Sequence, residues 1–150
     1  QVPATVTPGL TTVLLSASDT PVPDIVALAA TVGGDGIVNI PGSTGTGFFS
    51  VATVNVGAAG AITATADTAD AGLPVTLSLC QTDPGSGECV SAIGPSAPTT
   101  IAGGETPTFA VFATGSGTVP FDPANNRIFV RFKDAGAITR GATSVAVRTQ

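Results

Sequence analysis

Apolar and polar residues alternate along this chain in short runs, and clusters of Gly, Pro, Asn and Asp separate the runs. The clearest run is "RIFVRFK" at 127–133. Ile128, Val130 and Phe132 fall on one face, and Arg127, Phe129, Arg131 and Lys133 on the other. A period of two places one face in a core and the other in water. The end of the chain repeats the pattern, with Val145 and Val147 inward and Ser144 and Arg148 outward. "FFSVATVNV" and "TPTFAVFA" are apolar on both faces, which predicts central strands. In all, strands are predicted at 11–16, 24–31, 36–40, 47–56, 61–67, 74–82, 88–93, 108–113, 127–133 and 143–149. The breakers between them include "TPVP", "PGSTGTG", "GPSAP", "GG" and "DPANN". No segment carries the i, i+3, i+4, i+7 spacing of a capped helix.

Short strands at this spacing, about seven to nine of them in one unit, predict an all-β, immunoglobulin-like antiparallel β-sandwich. A β-solenoid is the weaker alternative, because no fixed short repeat recurs. A chain of 150 residues suits one domain with a strand or linker attached. Residues 1–20 read as that N-terminal strand or linker, either the end of a preceding module or a donor strand, and 21–150 as the sandwich domain.

The two cysteines sit in "LSLCQTDPGSGECVSAI". Folding this stretch into a hairpin about Pro84-Gly85 sets Leu79 opposite Val90 and Cys80 opposite Cys89, both cysteines on the non-core face. Opposed residues of an antiparallel pair lie about 4.5–5.5 Å apart at Cα, a distance a disulfide can bridge. Asp83-Pro84-Gly85-Ser86 supplies turn chemistry at the apex. A cross-strand disulfide, Cys80–Cys89, is therefore expected, with free buried thiols as the alternative. Two cysteines with no histidine do not make a usual zinc site. A disulfide places the chain in an oxidising compartment: periplasm, cell surface or medium.

Composition narrows the chemistry further. Charged residues are 10% of the chain, against roughly 25% in a typical soluble domain, so small polar residues must cover the surface. The net charge is −5 with five cations, which argues against nucleic acid as a partner. No apolar run reaches the ~20 residues of a membrane span. Gln1 begins no signal-peptide pattern, so either a signal has been removed or the chain is a segment of a longer one. Without histidine there is no Ser-His-Asp or Cys-His pair, and no S-x-x-K, G-x-S-x-G, P-loop or dinucleotide motif stands in their place. The expectation is that the chain is not an enzyme and uses no cofactor. Paired carboxylates could in principle hydrolyse a glycosidic bond, but no two stand beside an aromatic platform.

Three stretches resemble a known bacterial module: "DIVALAATVGGDGIVNIPGSTGTGFFSVATVNVG", "LPVTLSLCQTDPGSGECV" and "TPTFAVFATGSGTVPFDPANNRIFVRFKDAGAITRGATSVAVRT". That module sits at or near the C-terminus of large secreted or surface proteins with Ig-like repeats, and the likeness runs from about Leu10 to Thr149. The resemblance implies an extracellular Ig-like structural module and supplies no catalytic residues. The expected function is a structural or adhesive building block of a surface protein or filament. Its partners would be neighbouring Ig-like modules or identical subunits.

Three groups of residues carry sharper hypotheses. Asp122, Asn125 and Asn126 gather an acid and two amides in one loop, a weak Ca²⁺ candidate that Asx turns explain more simply. Arg127, Phe129 and Arg131 form a cation–aromatic stripe, a possible face for a ligand or carbohydrate together with exposed loops. The absence of Trp and Tyr counts against sugar stacking. Finally, Thr11, Thr12, Val13, Leu14, Leu15 and Ser16 form an apolar strand that could pair within its own chain or be donated to another subunit.

Overall fold

Period-two runs become strands only when a second sheet covers their apolar face. The computed structural model shows two such sheets and describes residues 18–150. The strand expected at 11–16 lies outside the described residues. The strands are β1 (Ile25–Thr31), β2 (Ile37–Ile40), β3 (Thr46–Asn55), β4 (Gly60–Asp67), β5 (Val75–Thr82), β6 (Ser96–Ile101), β7 (Thr108–Gly115), β8 (Arg127–Asp134) and β9 (Thr139–Thr149). A short 3-10 turn, Ala69–Ala71, follows β4. One sheet has the order β1-β3-β7-β5 and the other β2-β9-β8-β4-β6.

The two inner faces meet in one core. Ile25, Phe49, Val51, Leu79 and Val111 from the four-stranded sheet pack against Ile40, Ile62, Ile128, Val130 and Val147 from the five-stranded sheet. Phe109 of β7 and Phe132 of β8 join the layers, their ring centroids 5.4 Å apart and tilted by 59°, a geometry that suits the aromatic quadrupole. β3 is central, as its sequence predicts, yet only one face is buried: Phe49 and Val51 point in while Phe48 stays 52% exposed.

Four expectations need correction. The pairing is not wholly antiparallel, because β2 runs parallel to β9, with Ile37 opposite Ala146 and Ile40 opposite Thr149. Strand β6 was hidden by Pro98, which reads as a breaker. Proline is tolerated there because β6 is an edge strand and needs no donor on its free side. No strand forms at 88–93. The Cys80–Cys89 disulfide is present, with Cα atoms 5.7 Å apart, but in a shifted register: Thr82 lies opposite Cys89 and Leu79 opposite Gly94. The segment 87–94 instead runs irregularly along the outer edge of β5. Val90 N–H donates to the Gln81 carbonyl, Leu79 and Gly94 exchange backbone bonds, and the Ser91 hydroxyl accepts from Gln81 N–H. Cys80 is fully buried while Cys89 is exposed.

Asn55, fully buried at the end of β3, ties the first strand to both sheets. Its Oδ1 accepts from Asp24 N–H and Gly57 N–H, each at 3.0 Å. Its Nδ2 donates to the Ala58 carbonyl at 2.8 Å and to the Ile101 carbonyl at 3.2 Å. All four capacities of the amide are used.

Replacing Asn55 with Ala should therefore lower stability by more than about 3 kcal/mol, since it removes four bonds and strands buried backbone groups. The Cys80→Ser/Cys89→Ser double variant should lose about 2–3 kcal/mol, the loop-entropy value for so short a loop. Urea unfolding followed by circular dichroism checks both.

Candidate functional site

The five cations of the chain all lie on two adjacent strands, β8 and β9. The alternation of "RIFVRFKD" sends Arg127, Arg131 and Lys133 to one face of β8, and the neighbouring strands supply partners for the arginines. Arg131 Nε donates to Asp67 Oδ2 on β4 at 2.7 Å, and Nη2 to Oδ1 at 3.3 Å. The same guanidinium stacks 5.0 Å from the centre of the Phe129 ring. Phe129 is only 5% exposed, so the aromatic expected on an open face is buried beneath Arg131. Arg127 donates to the Ser144 hydroxyl at 3.0 and 3.2 Å and to the Pro123 carbonyl at 2.8 Å. Burial lowers the pKa of its guanidinium.

Arg140 and Arg148, on β9, are engaged in the same way. Arg140, buried at 8% exposure, lies 2.7 Å from Asp134. Arg148 donates to Asn39 on β2 at 2.7 Å and stacks 5.0 Å from the Phe121 ring. Each arginine thus joins its strand to a neighbouring strand or loop.

The loop 122–126 closes on itself. Asn125 Nδ2 donates to Asp122 Oδ2 at 2.8 Å, the first cause of a lowered Asp122 pKa. Asn126 Nδ2 donates to the Pro120 carbonyl at 2.9 Å. Among the described residues no three His, Cys, Asp or Glu side chains converge as a metal site requires. A shallow groove of about 570 Å³ separates this loop from the 3-10 turn. It brings together Asn125, Phe129 and Arg131 with Asp70, which lies far from them in the sequence.

The opposite face of the molecule has another character. The four strands of the β1-β3-β7-β5 sheet contain no charged residue at all. Val26 and Leu28 of β1 and Phe48 of β3 project from its outer face, 47%, 71% and 52% exposed. A groove of about 280 Å³ crosses this face, between Leu28 and the turn 83–87. Small side chains floor it: Ala30, Ser50, Ala52 and Thr108. Asp83 shapes the turn by accepting from Ser86 N–H at 2.8 Å and Gly85 N–H at 2.9 Å, and these bonds hold its pKa low. Exposed apolar side chains on strands without charge make this sheet the candidate interaction face. The signal for it lies in four strand sequences free of charge, which become one surface only once the sheet order is known.

The Asp134 carboxylate is held below the 3.8 of a free side chain, first by Ile138 N–H and next by Arg140. A carboxyl with a lowered folded pKa adds stability that is present above its unfolded pKa and lost as pH falls through the folded value. The thermal midpoint should stay level from about pH 7 to about pH 5 and drop below about pH 4. Melts recorded across that range should fall less steeply for Asp134→Asn.

No protein-family model and no curated protein matches the sequence. Among solved structures the chain is similar to AvmM, which catalyses macrocyclization in alchivemycin A biosynthesis, with 14% identity over 84% of this chain and 88% of that chain and a TM-score of 0.50. At that identity the likeness is one of fold. It does overturn the expectation that this chain is not an enzyme, because an enzyme shares the fold.

Proposed function

We propose that this chain is an extracellular, Ig-like structural module that assembles with like modules or identical subunits, as a building block of a bacterial surface protein or filament. The observation that carries this reading is the charge-free sheet, with Val26, Leu28 and Phe48 exposed on it and every cation on the other sheet. An apolar face of this kind is costly to leave in water and gains by being covered. The disulfide is consistent with an oxidising environment. Among the described residues no helix is long and apolar enough to cross a membrane. The Ig-like assignment draws on the parallel β2–β9 pair, which lets the chain pass from β1 in one sheet to β2 in the other.

A second reading, a ligand- or carbohydrate-binding module, has one observation in its favour. Asp70 and Asn125 flank Phe129 and Arg131 in the 570 Å³ groove. Against it, Arg131 is already held in two places by Asp67, and the Phe129 ring is buried.

Analytical ultracentrifugation of the full chain tests the assembly reading. Species larger than the monomer should grow with concentration. They should persist at 1 M salt, where the Debye length is about 3 Å, because the four strands of this sheet carry no charge to screen. A monomer at all concentrations refutes the proposal.

A further inference from the structure

We infer that residues 83–95 form a strap that the Cys80–Cys89 disulfide latches over the free edge of β5, and that this edge stands open in the dithiol form of the chain and closes on oxidation. Three observations lead there. First, β5 needs a cover. It ends the order β1-β3-β7-β5, so among the described residues no strand of the sheet pairs with its other side. An uncovered edge is a template for pairing with another chain, and proteins blunt such edges with proline or charge. β6, an edge of the other sheet, carries Pro98. "VTLSLCQT", the whole of β5, has neither proline nor charge.

Second, the strap occupies the C-terminal half of that edge. Leu79 and Gly94 exchange backbone bonds at 2.8 and 3.1 Å, and Val90 N–H donates to the Gln81 carbonyl at 2.9 Å. Gln81 N–H donates to the Ser91 hydroxyl at 2.9 Å, and Asp83 N–H to the Glu88 carbonyl at 2.9 Å. Backbone groups alternate in direction along a strand, so Leu79 and Gln81 face the strap while Thr76 and Ser78 face β7. Third, the disulfide is what holds the strap. From Asp83 to Pro95 every residue is exposed except Ser91 and Gly94, which are half-buried. Val90 and Ile93, its largest apolar residues, are 62% and 59% exposed. The strap therefore has no apolar anchor in the core, and its hydrogen bonds compete with water. The covalent link differs: Cys80 is fully buried and Cys89 exposed, so it runs from inside the fold to the strap.

Closing the latch removes two electrons from the chain and passes them to a disulfide oxidant. The Cys89 thiolate, on the exposed side, attacks the oxidant and releases one thiol. The Cys80 thiolate then attacks Cys89 Sγ and releases the second, the two cysteine protons ending on the released thiols. A dithiol reverses both steps, entering at Cys89 and expelling the Cys80 thiolate.

Amide hydrogen exchange followed by NMR tests this on the oxidised chain, the chain reduced with dithiothreitol, and the Cys80→Ser/Cys89→Ser variant. Loss of the disulfide lowers global stability, which speeds exchange at every amide that opens only with the whole fold, so the comparison is between strap-facing and β7-facing amides. We expect exchange at Leu79 and Gln81 to rise at least about tenfold more than at Thr76 and Ser78, in both the reduced chain and the variant. A rise by the same factor at all four amides makes the disulfide a brace on the whole fold and overturns the inference. So does a chain that unfolds without the disulfide and exposes all four together. Leu79 and Gln81 amides that stay as protected as in the oxidised chain show a strap that holds without its latch, and overturn it too.

Discussion

Asn55 is the point at which this fold is tied together. A buried amide has four hydrogen-bonding capacities, and each left empty costs free energy. Here they reach Asp24, Gly57, Ala58 and Ile101, which belong to the approach to β1, the β3–β4 turn and the end of β6. The backbone of the same residue bonds Glu105 and Gly104, so the β6–β7 connection is drawn in as well. A side chain of other shape would satisfy some of these groups and strand the rest. The placement of β1 as an edge of the four-stranded sheet follows from this anchoring, and with it the position of the exposed Val26 and Leu28.

The second constraint is the division of charge. With so few cations, the chain spends its arginines on joining strands. Arg131 connects β8 to β4, Arg148 connects β9 to β2, and Arg140 closes the β8–β9 connection against Asp134. Arg148 and Asn39 stand at the parallel pair, which is short and benefits from a charged hydrogen bond beside it. Nothing of this kind is needed in the four-stranded sheet. Its strands are held by ladder bonds, by the inter-sheet core and by Thr–Thr pairs such as Thr46 with Thr114 and Thr82 with Thr108. One face is thereby left apolar and uncharged, and the other is polar and internally paired.

Much of this was legible in the chain. Alternation placed eight of the nine strands to within about two residues at most of their boundaries, apart from β9, which begins earlier than its apolar positions suggest because Arg140 is buried by Asp134. The missing strand, β6, contains Pro98, and sequence offers no way to know that its donor side faces outward. The disulfide was legible as a pairing but not as a register. Ideal hairpin counting assumes a regular second strand, whereas residues 87–94 bend and let the Ser91 hydroxyl take a place in the ladder. Phe129 was misplaced for a similar reason: period-two alternation assigns it to the outer face, and only the partners of Arg131 reveal that the face is covered.

By itself the sequence determined the all-β class, the inward residues of most strands and the disulfide partners, because side-chain alternation and turn chemistry are local properties of the backbone. Tertiary structure alone decided which strands became neighbours. That choice gathered four charge-free strands into one sheet, set Asp67 beside Arg131, and brought Asn125 within reach of the same groove. Pairing between strands far apart in sequence depends on how two faces pack against each other, and no local pattern records it.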